Sequence, residues 1–314
     1  MILFKEEGHQ YVDVNGNPLE SVSSFVARFK EKFADWMPTY KAIKESYGFI
    51  LDECKVHMQW DDPNMIEFCK SFMTEEELLD VEFEADCWKN QWVREAQYGT
   101  DLHLEKEMDT LSSTHQNHYL TGAPHLVIKK PEISGFQNYS IIRDVLKNYR
   151  QDIVIPEALL HFDKCNCAKR GCADEDHDEF CERKAGQVDR LWLHWTGSKW
   201  IADIEDYKTD KKLDQDIFFT GEKGKKRPKM FYGPANHYPD HKRSYYTLKM
   251  NTYSLMLSEM GVTTDNLFLV HTPKSGENEV IFLTKDLHTI KKMRHDLSKR
   301  RAARPSIKSV HISL

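Results

Sequence analysis

Gly186-Gln-Val-Asp-Arg-Leu-Trp-Leu-His-Trp195, Thr196-Gly-Ser198 and Lys199-Trp-Ile-Ala-Asp-Ile-Glu-Asp-Tyr-Lys208 follow one another without a break. The outer runs are rich in aromatic and β-branched residues, and small turn residues separate them, which predicts a β-hairpin. Alternate side chains of a strand share a face, so Asp206 and Lys208 project together, and hairpin pairing brings Asp189 near Asp206. Two carboxylates in that proximity repel unless a positive charge lies between them. A divalent cation meets the need, and hard oxygen ligands suit Mg²⁺ or Mn²⁺. Such an ion polarises a phosphoryl oxygen and acidifies a bound water, while Lys208 orients or deprotonates that water or holds the phosphate. Asp-x-Lys by itself reads as a solvated strand end; the Gly-x-x-Asp-Arg strand and short turn before it narrow the reading.

Upstream, Ile153-Val-Ile-Pro-Glu157 opens a further strand that extends to Phe162. Downstream, Tyr245 to Met260 predicts a helix with Leu248, Thr252, Leu255 and Met256 on one stripe. Leu267–His271 and Val280–Leu283 read as late strands, and Thr284–Arg304 as a closing helix with a basic C-terminal half. At the start, Tyr11-Val-Asp-Val runs into Asn15-Gly16, a strong hairpin turn. Ser21 to Ser24 then cap a helix carrying Phe25, Phe29 and Phe33. Residues 36–107 are mainly helical in pattern, with Gly99-Thr100 placed as a helix start before the acids of Asp101-Leu-His-Leu-Glu105. The fold class expected is α/β, a mixed central sheet flanked by helices, with an N-terminal helical region and a Cys-rich insertion. The expected divisions are 1–90 (hairpin and helices), 91–285 (core, with the insertion 163–182 and a basic loop 211–244) and 286–314 (basic helix and tail).

Gly186-Gln-Val-Asp189-Arg190 and Ile204-Glu-Asp206-Tyr207-Lys208-Thr209 resemble the second and third motifs of PD-(D/E)XK nucleases. The likeness is to their RecB-like exonuclease branch, which includes phage exonucleases, CRISPR-associated exonucleases and the mitochondrial genome maintenance exonuclease. Gly99-Thr-Asp-Leu-His103 matches that branch's Gly-x-x-x-His helix motif. The resemblance covers roughly residues 90 to 270 and implies a restriction-endonuclease-like core. It implies metal ligation by His103, Asp189, Asp206 and the Tyr207 carbonyl, with Lys208 as the catalytic lysine. Glu157 corresponds to an acid found on the first core strand of some members, or else is a buried strut. The branch's Gln-x-x-x-Tyr helix motif is altered: Tyr253 is kept, but Lys249 stands where the Gln belongs. A lysine can still meet a phosphate, as a point charge rather than an amide. Tyr11 to Phe25 also resembles the opening of phage-type relatives, and a role in phage or mobile-element recombination or replication fits by analogy.

Cys165, Cys167, Cys172 and Cys181 crowd the acidic insertion, and four thiols there suit a tetrahedral structural Zn²⁺, the alternative being a reduced acidic loop. Cys54, Cys69 and Cys87 are scattered through helical sequence and read as packing residues. The chain carries a formal charge of -6, so nucleic-acid contacts must be sought locally. Lys225, Lys226 and Arg227, within the basic run Lys223–Lys229, are candidates for phosphates, as is Arg190, and nearby aromatics such as Phe218 and Tyr232 for stacking on unpaired bases. No apolar run spans a bilayer and no secretory pattern opens the chain, so an intracellular, cytoplasmic setting without membrane contact is expected. Together these readings predict a Mg²⁺- or Mn²⁺-dependent deoxyribonuclease, an exonuclease acting on single strands or free ends. The rivals are a catalytically inactive nuclease fold that docks DNA or protein, an RNA-directed nuclease, and a zinc-dependent interaction protein.

Overall fold

The computed structural model describes residues 2–5, 10–30, 36–54, 64–129, 138–162, 183–210, 212–215, 218–220, 226–274 and 277–302. In chain order come β1 (Ile2–Lys5), β2 (Gln10–Asp13) and β3 (Pro18–Ser21), then α1 (Val22–Ala27), α2 (Met37–Ser46), α3 (Gly48–Cys54), α4 (Asn64–Lys70) and α5 (Glu75–Ser112). Next are β4 (His115–Asn117), β5 (Pro124–Val127), β6 (Asn138–Tyr139), α6 (Ile142–Asn148), β7 (Ile153–His161), β8 (Lys184–Trp195) and β9 (Trp200–Lys208). Two short strands, β10 (Phe218–Thr220) and β11 (Lys226–Pro228), precede α7 (Lys242–Glu259), β12 (Thr263–His271), β13 (Glu279–Phe282) and α8 (Leu287–Ala302).

The chain divides into two compact units. One comprises Met1–Lys30, Glu105–Ile217 and Pro228–Leu314; the other comprises Glu31–Leu104 and Phe218–Arg227. The boundaries between these units fall after Lys30, Leu104, Ile217 and Arg227. In the second unit, Ala42, Ile43, Leu51, Met65, Cys69 and Val81 close a small helical core, so Cys69 packs as the sequence suggests, with Cys54 beside it; Cys87 is exposed.

The first unit is a mixed sheet flanked by helices. Its strands run β13-β12-β9-β8-β3-β2-β1-β6, with β7 on the other edge of β8, β5 beside β7 and β4 beside β5. The β8–β9 hairpin forms as its pattern predicts, paired from Arg190↔Glu205 to Trp195↔Trp200, with Gly197 in the turn at φ 88°. β12 lies parallel to β9 on its far side. Helix α7 is buried nearly all round, with Leu248, Leu255, Met256 and Leu257 joining Ile204, Leu191 and Leu269 in the main core. The closing helix belongs to this core too, through Ile290 and Met293.

Two local expectations change. Gly99-Thr100 does not start a helix: α5 runs straight through it. Side-chain bonds one turn apart, Thr100 Oγ1 to the Ala96 carbonyl and Gln97 to Asp101, bridge the glycine, and one interior Gly costs a helix only about 1 kcal/mol. The first helix is capped by Ser21, as read, but ends at Ala27, so Phe29 packs from a turn; Phe33 lies outside the described residues.

The constraint that shapes the site is a fork in the sheet at β8. One edge pairs with β7 from Ile153↔Leu193 to His161↔Ala185. The opposite edge is shared, by β9 above Arg190 and by β3, in parallel, at Lys184 and Ala185. Gly186 to Asp189 fall between those pairings. Ile153 and Ile155 share the core with Ala158 and Leu160, and Val188 shares it with Leu191 and Leu193. Each strand thus shifts its inward parity at the Glu157–Asp189 step. A one-residue slip of a period-2 pattern needs an irregular residue, and Glu157 supplies it, at φ 45°. A non-glycine residue there stores on the order of 1–3 kcal/mol, and such strain clusters at functional sites.

The fork also requires Gly186. A Cβ at that position would stand 2.6 Å from the Tyr253 hydroxyl and 2.8 Å from its Cε1. Gly186→Ala should destabilise the protein by about 1–3 kcal/mol in urea unfolding, the usual range for overpacking. Adding Tyr253→Phe should recover only part of that loss, because the ring carbon remains in the way.

Candidate active site

At the fork the β8–β9 ladder stops at Arg190↔Glu205. The next amide, that of Tyr207, donates to the Asp189 carboxylate instead of to a strand carbonyl. Asp189 therefore sits at the mouth of the fork, held against β9. Glu157, bracketed by the pairs Pro156↔Arg190 and Ala158↔Val188, stands across from it, and their carboxylate oxygens approach within 4.8 Å.

Asp206 follows on β9, opposite Leu269 of β12. Its side chain is fully buried, and neither carboxylate oxygen accepts an aligned hydrogen bond. Two ammonium groups touch it instead: Lys208 on Oδ2 and Lys249 on Oδ1, the latter at 3.5 Å. Lys208 also donates to the Tyr207 carbonyl at 2.5 Å and lies 5.0 Å from the Tyr246 ring centroid. Lys249 and Tyr253 are one helical turn apart on α7, the ammonium 5.8 Å from the ring centroid. Burial, the largest single influence, would lower the Lys249 ammonium, but the negative charges of Asp206 and Asp189 together with the Tyr253 and Tyr245 phenols outweigh it and hold the group well above its ordinary value. Burial pushes the Tyr11 phenol up to about 12, with Lys249 opposing and Glu157 adding to the rise, and Tyr11 bonds the Gln187 backbone inside the fork. Asp189, Asp206, Tyr207, Lys208, Lys249 and Tyr253 thus form one neighbourhood, with Glu157 and Tyr11 on its border.

Arg190 is not part of the open surface. Its Nε donates to Thr110 Oγ1 at 2.9 Å, Nη1 to Glu205 at 3.3 Å and Nη2 to the Lys106 carbonyl at 3.3 Å. The residue is 5% exposed and ties β8 to the end of α5. The side chain read as a phosphate contact is therefore a strut, because its donors face inward. Among the other expected residues, His103 stands half-buried on α5 in the second unit, and Lys226 and Arg227 lie on β11. Lys225 and the cysteines Cys165, Cys167, Cys172 and Cys181 lie outside the described residues.

A second cluster in the first unit went unread in the sequence: His118, His125, His194 and Asp203, on the opposite face of β9 from Asp206. The hairpin register alone places His194 and Asp203 as diagonal neighbours, since Trp192 pairs with Asp203 and His194 with Ile201. His118 and His125 come from the β4–β5 hairpin, which carries no strong strand pattern.

No family model, curated protein or solved structure matches the chain. No helix among the described residues is long and apolar enough to cross a membrane.

Glu205 offers a check of the frame that holds the site. Burial raises its carboxyl above the ordinary value, and Arg190, with the donors of Tyr207 and Trp192, offsets only part of this. A raised acid contributes stability below its unfolded value, about pH 4, and loses it as pH rises through the folded value. Arg190→Ala should cost about 3–5 kcal/mol at neutral pH, the penalty for orphaning a buried charge. In urea melts the loss should shrink as pH falls and Glu205 takes up a proton. A loss that stays constant from neutral to acid pH would contradict this.

Proposed function

We propose that this chain is a metal-dependent deoxyribonuclease that hydrolyses phosphodiester bonds from free or single-stranded DNA ends. One observation carries the reading: a fully buried carboxylate, Asp206, is held only by the Lys208 and Lys249 ammoniums, without an aligned hydrogen bond, and lies near Asp189 at a fork in the sheet. Buried carboxylates are ordinarily satisfied by donors, paired or bound to metal. The oxygen donors of the first unit (Asp189, Asp206 and the Tyr207 carbonyl, with Glu157 nearby) suit Mg²⁺ or Mn²⁺, and the resemblance adds the His103 imidazole to the set. When bound, the ion supplies polarisation of the phosphate and a more acidic water.

The chain's own groups do the rest. Lys208, in contact with both Asp206 and the Tyr207 carbonyl, steadies the water or takes the charge of the phosphate. Lys249 adds a second ammonium where the resembling family has an amide, so it meets a phosphate as a point charge. Lys225, Lys226 and Arg227 offer sequence-independent phosphate contacts, which makes binding fall steeply with salt.

Lys249 also favours a second reading. With Lys208 it balances the charge of Asp206 without any metal, as an inactive subunit that docks DNA would require.

The test uses end-labelled single- and double-stranded DNA and a matched RNA strand, with Mg²⁺, Mn²⁺ or EDTA. The nuclease reading predicts degradation of DNA that EDTA abolishes and that Asp206→Ala and Lys208→Ala each reduce about 100-fold or more. DNA binding without cleavage under every metal gives the docking reading, and faster loss of RNA changes the substrate. Lys249→Gln should lower the Mn²⁺ concentration giving half-maximal cleavage, because it removes a charge that competes for Asp206.

A further inference from the structure

The histidine cluster on the other face of the sheet is independent of the nuclease reading, and its hydrogen bonds can be counted proton by proton. His125 Nδ1 lies 2.9 Å from the Ala123 carbonyl, which can only accept, so Nδ1 carries the proton. Neutral His125 then has a lone pair on Nε2, 3.0 Å from His194 Nδ1, so His194 Nδ1 must be the donor. In its neutral form His194 then carries its lone pair on Nε2, facing Asp203 Oδ2 at 3.4 Å. His118 Nε2 faces the same oxygen at 3.2 Å. Neither contact has hydrogen-bond alignment, and both nitrogens are buried.

Two nitrogens and a carboxylate oxygen therefore converge within 4.8 Å of one another, each nitrogen in ion-pair range of Asp203 Oδ2. Zinc bonds to nitrogen and oxygen are about 2.0–2.2 Å long, so ligands around a tetrahedral zinc stand about 3.3–3.5 Å apart. The observed 3.2 and 3.4 Å fit that spacing. The outer contacts fit as well. Metal-bound histidines hand their other N–H to a fixed acceptor; here His194 Nδ1 meets His125, which is anchored on Ala123, and His118 Nδ1 meets Thr121 Oγ1 at 3.1 Å. Asp203 Oδ1 takes the Asn266 backbone N–H at 2.8 Å and its side-chain amide at 2.9 Å, leaving Oδ2 to the imidazoles. His118 itself is fixed in a tight turn by its backbone bonds to Gly122 and Ala123.

We propose that His118 Nε2, His194 Nε2 and Asp203 Oδ2 bind a transition-metal dication, with Zn²⁺ the best match, pinning the β4–β5 hairpin to strands β8 and β9. Two imidazoles and one carboxylate are borderline ligands that prefer Zn²⁺ to Mg²⁺, and three protein ligands leave the fourth position for water.

The full chain is stripped with chelator, reloaded with Zn²⁺ or Co²⁺, desalted and assayed for bound metal, together with its melting temperature. The variants are His194→Gln, at a partly exposed position; Asp206→Asn; and a form with Cys165, Cys167, Cys172 and Cys181 all changed to Ser. Expected is a metal equivalent that survives in the Asp206 and cysteine variants and is lost in His194→Gln. Bound Co²⁺ should show visible d–d bands that persist in the cysteine variant, and Zn²⁺ should raise the melting temperature. The proposal is overturned if the wild-type chain retains no metal, or if His194→Gln, folded by circular dichroism, retains as much as wild type. It also fails if all retained metal vanishes with the cysteines.

Discussion

A carboxylate buried in a sheet and held only by ammonium groups is a standing cost, and Asp206 sets the arrangement of its surroundings. Removing an ion from water is expensive, and only close opposite charges or a metal offset it. Lys208 is on the same strand, and Lys249 arrives from α7, the most buried helix of the first unit. For α7 to come that close, Tyr253 must lie against β8, and there only glycine fits. The fork that admits the helix is opened in turn by Glu157, whose positive φ moves β7 and β8 out of step with their own alternation. Gly186, Glu157, Tyr253 and Lys249 are thus parts of one geometric solution around Asp206.

Much of this was legible in residues 186–208 alone. Alternation, a Gly-containing turn and Asp-x-Lys gave the hairpin and brought Asp189, Asp206 and Lys208 together, because strand pairing is local and period-2 geometry is rigid. The helix carrying Lys249 and Tyr253 was equally plain. Arg190 shows where such reading stops. A strand pattern says which way a side chain leaves the backbone but not what a distant helix places there, and the partners of Arg190 are Thr110 and Lys106 on α5. Glu157 could not be read as strained, since positive φ on a non-glycine residue leaves no trace in composition. The long helix through Gly99 likewise shows that a single interior glycine, at about 1 kcal/mol, is too weak a signal to place a helix start.

The histidine cluster went unread for a related reason. His194 and Asp203 lie within the very hairpin that decided the fold, yet attention to the face of Asp206 hides the residues of opposite parity. Their partners come from a short hairpin whose strands are three and four residues long. A sheet with chemistry-bearing residues on both faces has room for two separate cation sites, one of hard oxygens and one of imidazoles. The proposed roles differ accordingly: turnover at the first and attachment of a hairpin at the second.

The most direct measurement of the central claim is Mn²⁺ binding followed by electron paramagnetic resonance, in which the signal of free Mn²⁺ falls as the ion is taken up. Wild-type protein should remove Mn²⁺ from solution saturably, Asp206→Asn should lose that uptake, and His194→Gln should keep it. Equal uptake by wild type and Asp206→Asn would contradict the assignment of the fork in the sheet as the catalytic metal centre.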